Sequence, residues 1–163
     1  MKAILFTQYG SAVLLALEYL PKPSPKEHQV LVKIHAASIN SWDWELLMGK
    51  PFINRVVFGL LRPKKINILG CGMAGQAETV GAEVTQFKIG DKVFGDLSRA
   101  GWGGFAEYVS APENALITKP ESMTFEQAAA LPQASLLALQ GLRDKGQIQS
   151  GQKKVLINGA GAV

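Results

Sequence analysis

The chain has 163 residues, 47% of them hydrophobic and 18% charged, with a formal net charge of +4. That balance excludes a disordered chain, and a single cysteine excludes an intramolecular disulfide and an all-cysteine zinc lobe. The basic residues are spread apart from Arg62, Lys64 and Lys65, which excludes a nucleic-acid surface. The longest apolar stretch, 52–61, falls well short of the ~20 residues of a membrane span.

Residues 2–7 predict an opening strand rather than a signal peptide, because no cleavage site follows them. With the lone cysteine, this predicts a soluble protein of the reducing cytoplasm. Pro21-Lys22-Pro23-Ser24-Pro25 cannot enter a central strand, since proline lacks the donor, and is expected as a surface connection. Residues 29–36 alternate. Val30, Val32 and Ile34 share one face, and Gln29, Leu31, Lys33 and His35 the other. Further strands are predicted over 74–80, closed by Gly81, over 92–95 after the Gly90-Asp91 turn, over 105–110 and over 115–118. Many short strands punctuated by glycine and proline predict a closed or nearly closed barrel.

The pattern changes near Glu121. Thr124-Phe125-Glu126-Gln127 fits a capping box, with Thr124 as N-cap and Gln127 reaching back. Helical spacing runs to Leu131, breaks at Pro132 and resumes over 134–143. Gly146 and Gly151 then lead to a terminal strand over 155–157, which runs into Gly159-Ala160-Gly161-Ala162-Val163. A buried strand followed by such a turn begins a dinucleotide-binding βα unit. The first glycine makes the turn, and the second lets backbone approach a pyrophosphate seated on the next helix's N-terminus. The third glycine, that helix and a ribose-binding acid do not follow, so only the opening of such a site is expected. The plan is mainly β with some α, in two domains. Residues 1–123 form a barrel domain; residues 124–163 form a linker helix with the first strand and glycine turn of a dinucleotide-binding domain.

In order and spacing these segments resemble the medium-chain dehydrogenase/reductase superfamily, in its zinc-free quinone oxidoreductase-like branch. The likeness is carried by Asn40-Ser41-Trp42-Asp43 with its approach from Ala37, by the glycine-punctuated stretches 75–81 and 84–95, by Gly103-Gly104-Phe105-Ala106-Glu107-Tyr108-Val109, by 130–142 and by 159–163. It implies a GroES-like, partly open β barrel followed by a helix and the first strand of an incomplete Rossmann domain. It also implies hydride transfer from NADPH or NADH to a small quinone, enone or other carbonyl in the cleft between domains, by a homodimer. With the cofactor domain hardly begun, the chain alone is expected to be inactive and to bind neither nucleotide tightly. The alternative is a stand-alone GroES-like module that binds a partner without catalysis.

The resemblance also ranks site residues. Zinc-dependent members carry cysteine where Asn40 stands and Gly-His-Glu where Gly70-Cys71-Gly72 stands. Asn40 and Cys71 are a poor zinc set, which His28 and His35 do not repair, so no metal is expected. Asn40 is the candidate catalytic residue, its amide orienting a nicotinamide or donating to a substrate oxygen; alternatively it caps the helix that follows. Asp43 reads as structural, holding that turn, and Cys71 as a small buried residue. Relatives often carry a tyrosine near Glu45 and a threonine at Leu137, and this chain has neither. Gln133 and Ser135 are the nearby polar candidates, Gln133 as a cofactor contact. Gly159, Ala160, Gly161, Ala162 and Val163 are expected to contact the cofactor. Trp42, Trp44 and Phe52 are candidates for lining an apolar substrate pocket, with plain core packing as the alternative. Residues 51–61 are a mobile cover, a packed helix or a dimer contact. Trp102, in a glycine-rich turn, is expected near a surface or cleft, and Glu107-Tyr108 in barrel structure.

Overall fold

A computed structural model describes residues 1–64, 67–149, 151, 154 and 156. The predicted terminal strand at Val155 and Ile157, and the turn from Gly159 through Ala160, Gly161 and Ala162 to Val163, lie outside the described residues.

Strands β1 (Lys2–Leu5) and β2 (Ala16–Tyr19) pair antiparallel, with Ala3 opposite Glu18. Strands β3 (Gln29–Ser38), β4 (Gly72–Val80), β5 (Lys92–Asp96), β6 (Tyr108–Pro112) and β7 (Leu116–Thr118) form an antiparallel sheet in the order β6-β3-β4-β5-β7. That sheet does not close on itself among the described residues. Instead β1 is stitched to the segments entering β4 and β6. The Phe6 N–H donates to the Asn67 carbonyl at 2.7 Å, and the Ile4 N–H to the Phe105 carbonyl at 2.9 Å. The barrel is therefore partly open, and full closure is not reached.

The core lies inside the large sheet, where Val30, Val32, Met73, Val93, Leu97 and Leu116 pack together. Leu31, assigned by alternation to the opposite face from Val30 and Val32, is buried as well. The β3–β4 register shifts between Leu31 and Val32, a bulge at which strict alternation fails. The strand expected over 105–110 begins instead at Tyr108, with Ala106 making a single bridge to Ala3.

Helix α1 (Ser41–Met48) follows β3 directly, and the short α2 (Ile53–Phe58) follows α1. Helix α3 (Phe125–Ala130) begins with the predicted capping box. The Gln127 N–H donates to Thr124 Oγ1 at 3.2 Å, and the Thr124 N–H to Gln127 Oε1 at 3.0 Å. Helix α4 (Pro132–Leu139) restarts at Pro132, whose missing N–H costs nothing in a first turn. It runs on as a π-helical turn over Gln140–Lys145. Ala128 and Ala129 lay α3 against Ala74 on β4. The approach requires glycine at 72. A Cβ there would meet Ser38 Oγ at 2.2 Å and the Ala129 carbonyl at 2.8 Å. This contact brings the start of α4 to the point where β3 hands over to α1.

Candidate functional site

Asn40 occupies the N-cap position of α1 in an extended conformation. Its backbone is held by Asp43, three residues on: the Asn40 N–H donates to Asp43 Oδ2 at 2.8 Å. The second Asp43 oxygen accepts the Gly70 N–H at 2.7 Å, tying α1 to the entrance of β4. Asp43 is buried, and burial raises its carboxyl pKa against the opposing pull of these two donors. Asp43 is thus a structural clamp with both oxygens engaged.

The Asn40 side chain turns to a different set of partners. Its Nδ2 donates to Ser38 Oγ at 3.0 Å and to Cys71 Sγ at 3.3 Å. Cys71 is fully buried. Desolvation first, then the charges of Asp43 and Asp96, push its thiol up to about 12. Near pH 8 the thiol is then protonated. The native chain is accordingly expected to be inert to a colorimetric disulfide reagent at that pH and to react fully once denaturant is added. Rapid modification of the native protein would contradict this burial.

From α4, Gln133 reaches the same place. It is 4% exposed, and its Oε1 lies 3.9 Å from Cys71 Sγ. Its Nε2 is buried with no hydrogen-bond partner among the described residues. Beside it runs a groove of about 490 Å³, lined by Trp42, Asp96, Ser98, Pro132, Gln133 and Leu137 among others. A second cavity of about 330 Å³ shares Trp42 and Ser98 with the groove and reaches Glu45, Phe58 and Trp102. Helix α2 roofs it through Asn54 and Phe58. Tyr9 holds that roof, its hydroxyl donating to the Gly59 carbonyl at 2.8 Å and its ring lying 4.8 Å from the Arg55 guanidinium.

The structure therefore brings Asn40, Cys71, Gln133 and Trp42 together. It does not bring Trp44 or Phe52 to them. These are 55% and 66% exposed and line neither cavity. Ser135 is exposed on α4 and lines neither cavity. Trp102 is 6% exposed, packed with Phe6, Leu46, Leu69 and Cys71, so it sits at the cleft and not at the surface. Glu107 accepts the Lys2 N–H at 2.7 Å, and Tyr108 lies beneath Lys22, both away from the groove. His35 stacks on Phe125 and His28 pairs with Glu83, so neither histidine approaches Cys71. Sequence reasoning missed Asp96 and Ser98, which reach the groove from the end of β5. The one signal available was their place at a strand end.

The alcohol dehydrogenase GroES-like domain matches residues 26–121. A 2-methylene-furan-3-one reductase of Solanum lycopersicum is 36% identical, over 100% of this chain and 42% of its own length. A chloroplastic NADPH-dependent alkenal/one oxidoreductase of Arabidopsis thaliana is 34% identical, over 100% of this chain and 42% of its own length. The structure of the quinone oxidoreductase from Coxiella burnetii superposes with a TM-score of 0.81 at 37% identity, over 93% of this chain and 46% of that one. The chain belongs to the alcohol dehydrogenase GroES-like family. Within it, these relatives place the chain in the quinone oxidoreductase-like branch of the medium-chain dehydrogenase/reductase superfamily. It spans less than half the length of the relatives it matches.

Proposed function

We propose that this chain is the substrate-side part of an NAD(P)H-dependent reductase of quinones, enones or related carbonyls. Residues 1–123 are its GroES-like domain, and 124–163 the linker and opening of its cofactor domain. The observation that carries the reading is the meeting of the Asn40 amide and the Gln133 Nε2, which has no hydrogen-bond partner among the described residues, beside a groove walled by Trp42. A buried donor without a partner costs free energy, and a ligand that supplies an acceptor recovers it.

When bound, the nicotinamide supplies the hydride. In this reading Gln133 Nε2 donates to the cofactor or substrate oxygen. Asn40, held by Ser38 and Cys71, orients the reacting ring, and Trp42 keeps water from one side of it. In the full-length protein the backbone from Gly159 through Ala160, Gly161 and Ala162 to Val163 would hold the pyrophosphate. NADPH is the favoured cofactor, as the name of the Arabidopsis relative states for that protein. Zinc does not fit the donors at this place. Asn40 offers a neutral amide, Asp43 two oxygens already taken by backbone N–H groups, and Cys71 a single sulfur with neither histidine beside it, since His35 stacks on Phe125 and His28 pairs with Glu83. The chemistry is proposed to run without it. By the resemblance, the assembly is a homodimer. The buried thiol suits a reducing compartment, the cytoplasm in this proposal. The partner is a small molecule, not nucleic acid; among the described residues no helix is long and apolar enough to cross a membrane.

The test joins residues 1–163 to the remaining portion of the Coxiella burnetii quinone oxidoreductase and follows NADPH oxidation with a quinone or enone. The chimera is expected to turn over and the chain alone to do so little or not at all. Asn40→Ala is expected to lower kcat/KM of the chimera about tenfold. A folded chimera that binds NADPH yet reduces neither substrate would sink the proposal.

A further inference from the structure

We infer that the second cavity is a subsite for a neutral, planar ring bearing a hydrogen-bond acceptor, with Trp102 as its donor and specificity-determining residue. The inference rests on the reductase reading and goes further, since it says where the substrate ring sits and which group selects it.

The cavity's size suits a single ring. Trp42, Leu46, Pro51 and Phe58 give it apolar walls. Among its lining residues Glu45 is the one charged side chain, and there is no lysine, arginine or histidine. An anion entering would be repelled by Glu45 and would find no cation among the lining residues to balance its charge, so the occupant is neutral. The cavity opens past Trp42 and Ser98 into the groove that holds Gln133, so a ring seated here presents one end to the reacting groups.

Trp102 supplies the selective contact. Its side chain is 6% exposed, and its Nε1–H is buried with no hydrogen-bond partner among the described residues. Buried indole N–H groups ordinarily find one. The apolar part of the ring is fixed against Phe6, Leu46, Leu69 and Cys71, so core packing accounts for the ring and not for the idle donor. The backbone is consistent with adjustment here. Trp102 has φ +65°, a conformation that a bulky residue rarely adopts, between Gly101 at +101° and Gly103 at +110°. A Cβ at Gly101 would meet nothing within 4 Å, so the outer side of this turn has room to move. A small rotation of the turn uncovers Nε1–H to a carbonyl oxygen in the cavity. A hydrocarbon ring of the same shape leaves the donor idle and is rejected, because discrimination by a buried hydrogen-bonding group exceeds discrimination by shape.

The test needs no turnover. The chain holds three tryptophans, so its nitrogen-labelled form gives three indole signals in a proton–nitrogen correlation spectrum. Trp42→Phe and Trp44→Phe assign the third signal to Trp102. Titration with cyclohexenone is expected to move the Trp102 indole signal downfield to saturation, and methylcyclohexene is expected to leave it in place. Trp102→Phe, followed through the Trp42 signal, should weaken cyclohexenone binding about tenfold. A Trp102 signal that stays fixed while Trp42 responds overturns the inference and leaves the reductase reading standing. If no signal responds to cyclohexenone, the inference falls and the substrate side of the reductase reading falls with it. The wild-type titration decides between these outcomes even if Trp102→Phe does not fold.

Discussion

Replacing Asp43 by alanine is expected to lower the unfolding free energy by about 3 kcal/mol, measured by urea denaturation. Asp43 Oδ2 and Oδ1 accept the N–H groups of Asn40 and Gly70 at 2.8 and 2.7 Å, and the side chain is buried. Alanine leaves both donors without a partner; a fully buried orphan such as the Gly70 N–H costs about 1–3 kcal/mol, and the half-buried Asn40 N–H less. Asp43→Asn keeps one oxygen and should lose roughly half as much. The two variants also separate the carboxyl's charge from its geometry. Burial raises the Asp43 pKa, so the folded chain binds this proton more tightly than the unfolded one. Its linkage contribution therefore favours folding on the acid side and is lost as pH rises from the ordinary carboxyl value of 3.8 through the raised folded value. The advantage of the wild type over Asp43→Asn should shrink across that window. An alanine variant as stable as the wild type would mean that Asp43 does not clamp α1 to β4.

Local rules made much of the fold and part of the site legible. Val30 and Val32 announce a buried face, Thr124 and Gln127 a helix start, and Pro132 a break, each through neighbours within a few residues. Asp43 was legible as a turn-holding group because its first partner is three residues away; its second, Gly70, was not, because only the fold brings it near. Strand β2 escaped notice because Ala16–Tyr19 is exposed along its whole length and carries no alternation to read. Trp42 and Trp44 were grouped as one pocket, yet two residues along a helix is about 200° of rotation, so only one of them can face the groove. Trp42 does, and Trp44 faces solvent. Phe52, a pocket candidate as one of three neighbouring aromatics, stands at the exposed start of α2. The burial of Gln133 depends on where α4 docks, which Gly72 controls from sixty residues away by admitting Ala129 so close to β4.

Gln133→Met is expected to raise the unfolding free energy by about 1 kcal/mol and, in the chimera, to lower kcat/KM about 100-fold. The opposite signs are the point of the experiment. Methionine keeps the length and volume of glutamine and removes a buried amide whose Nε2 has no partner among the described residues. Turning the amide over would only exchange which end is idle, since its one hydrogen-bond partner among the described residues is the Cys71 sulfur at 3.9 Å. Removing such a group while preserving shape relieves a desolvation cost and sacrifices almost no bonding, so the fold should gain. A residue kept for packing would behave otherwise. Its loss would weaken the fold, and activity would decline only with the folded fraction. A donor held idle for a ligand predicts a firmer protein that has lost its positioning contact, the familiar opposition between stability and activity at a binding site. Asn40 should show a smaller effect than Gln133, because its Nδ2 is already engaged by Ser38 and Cys71 and gains less from a ligand. Denaturation and steady-state rates on the same preparation decide the matter. A Gln133→Met chimera that is both less stable and fully active per folded molecule would remove Gln133 from the site.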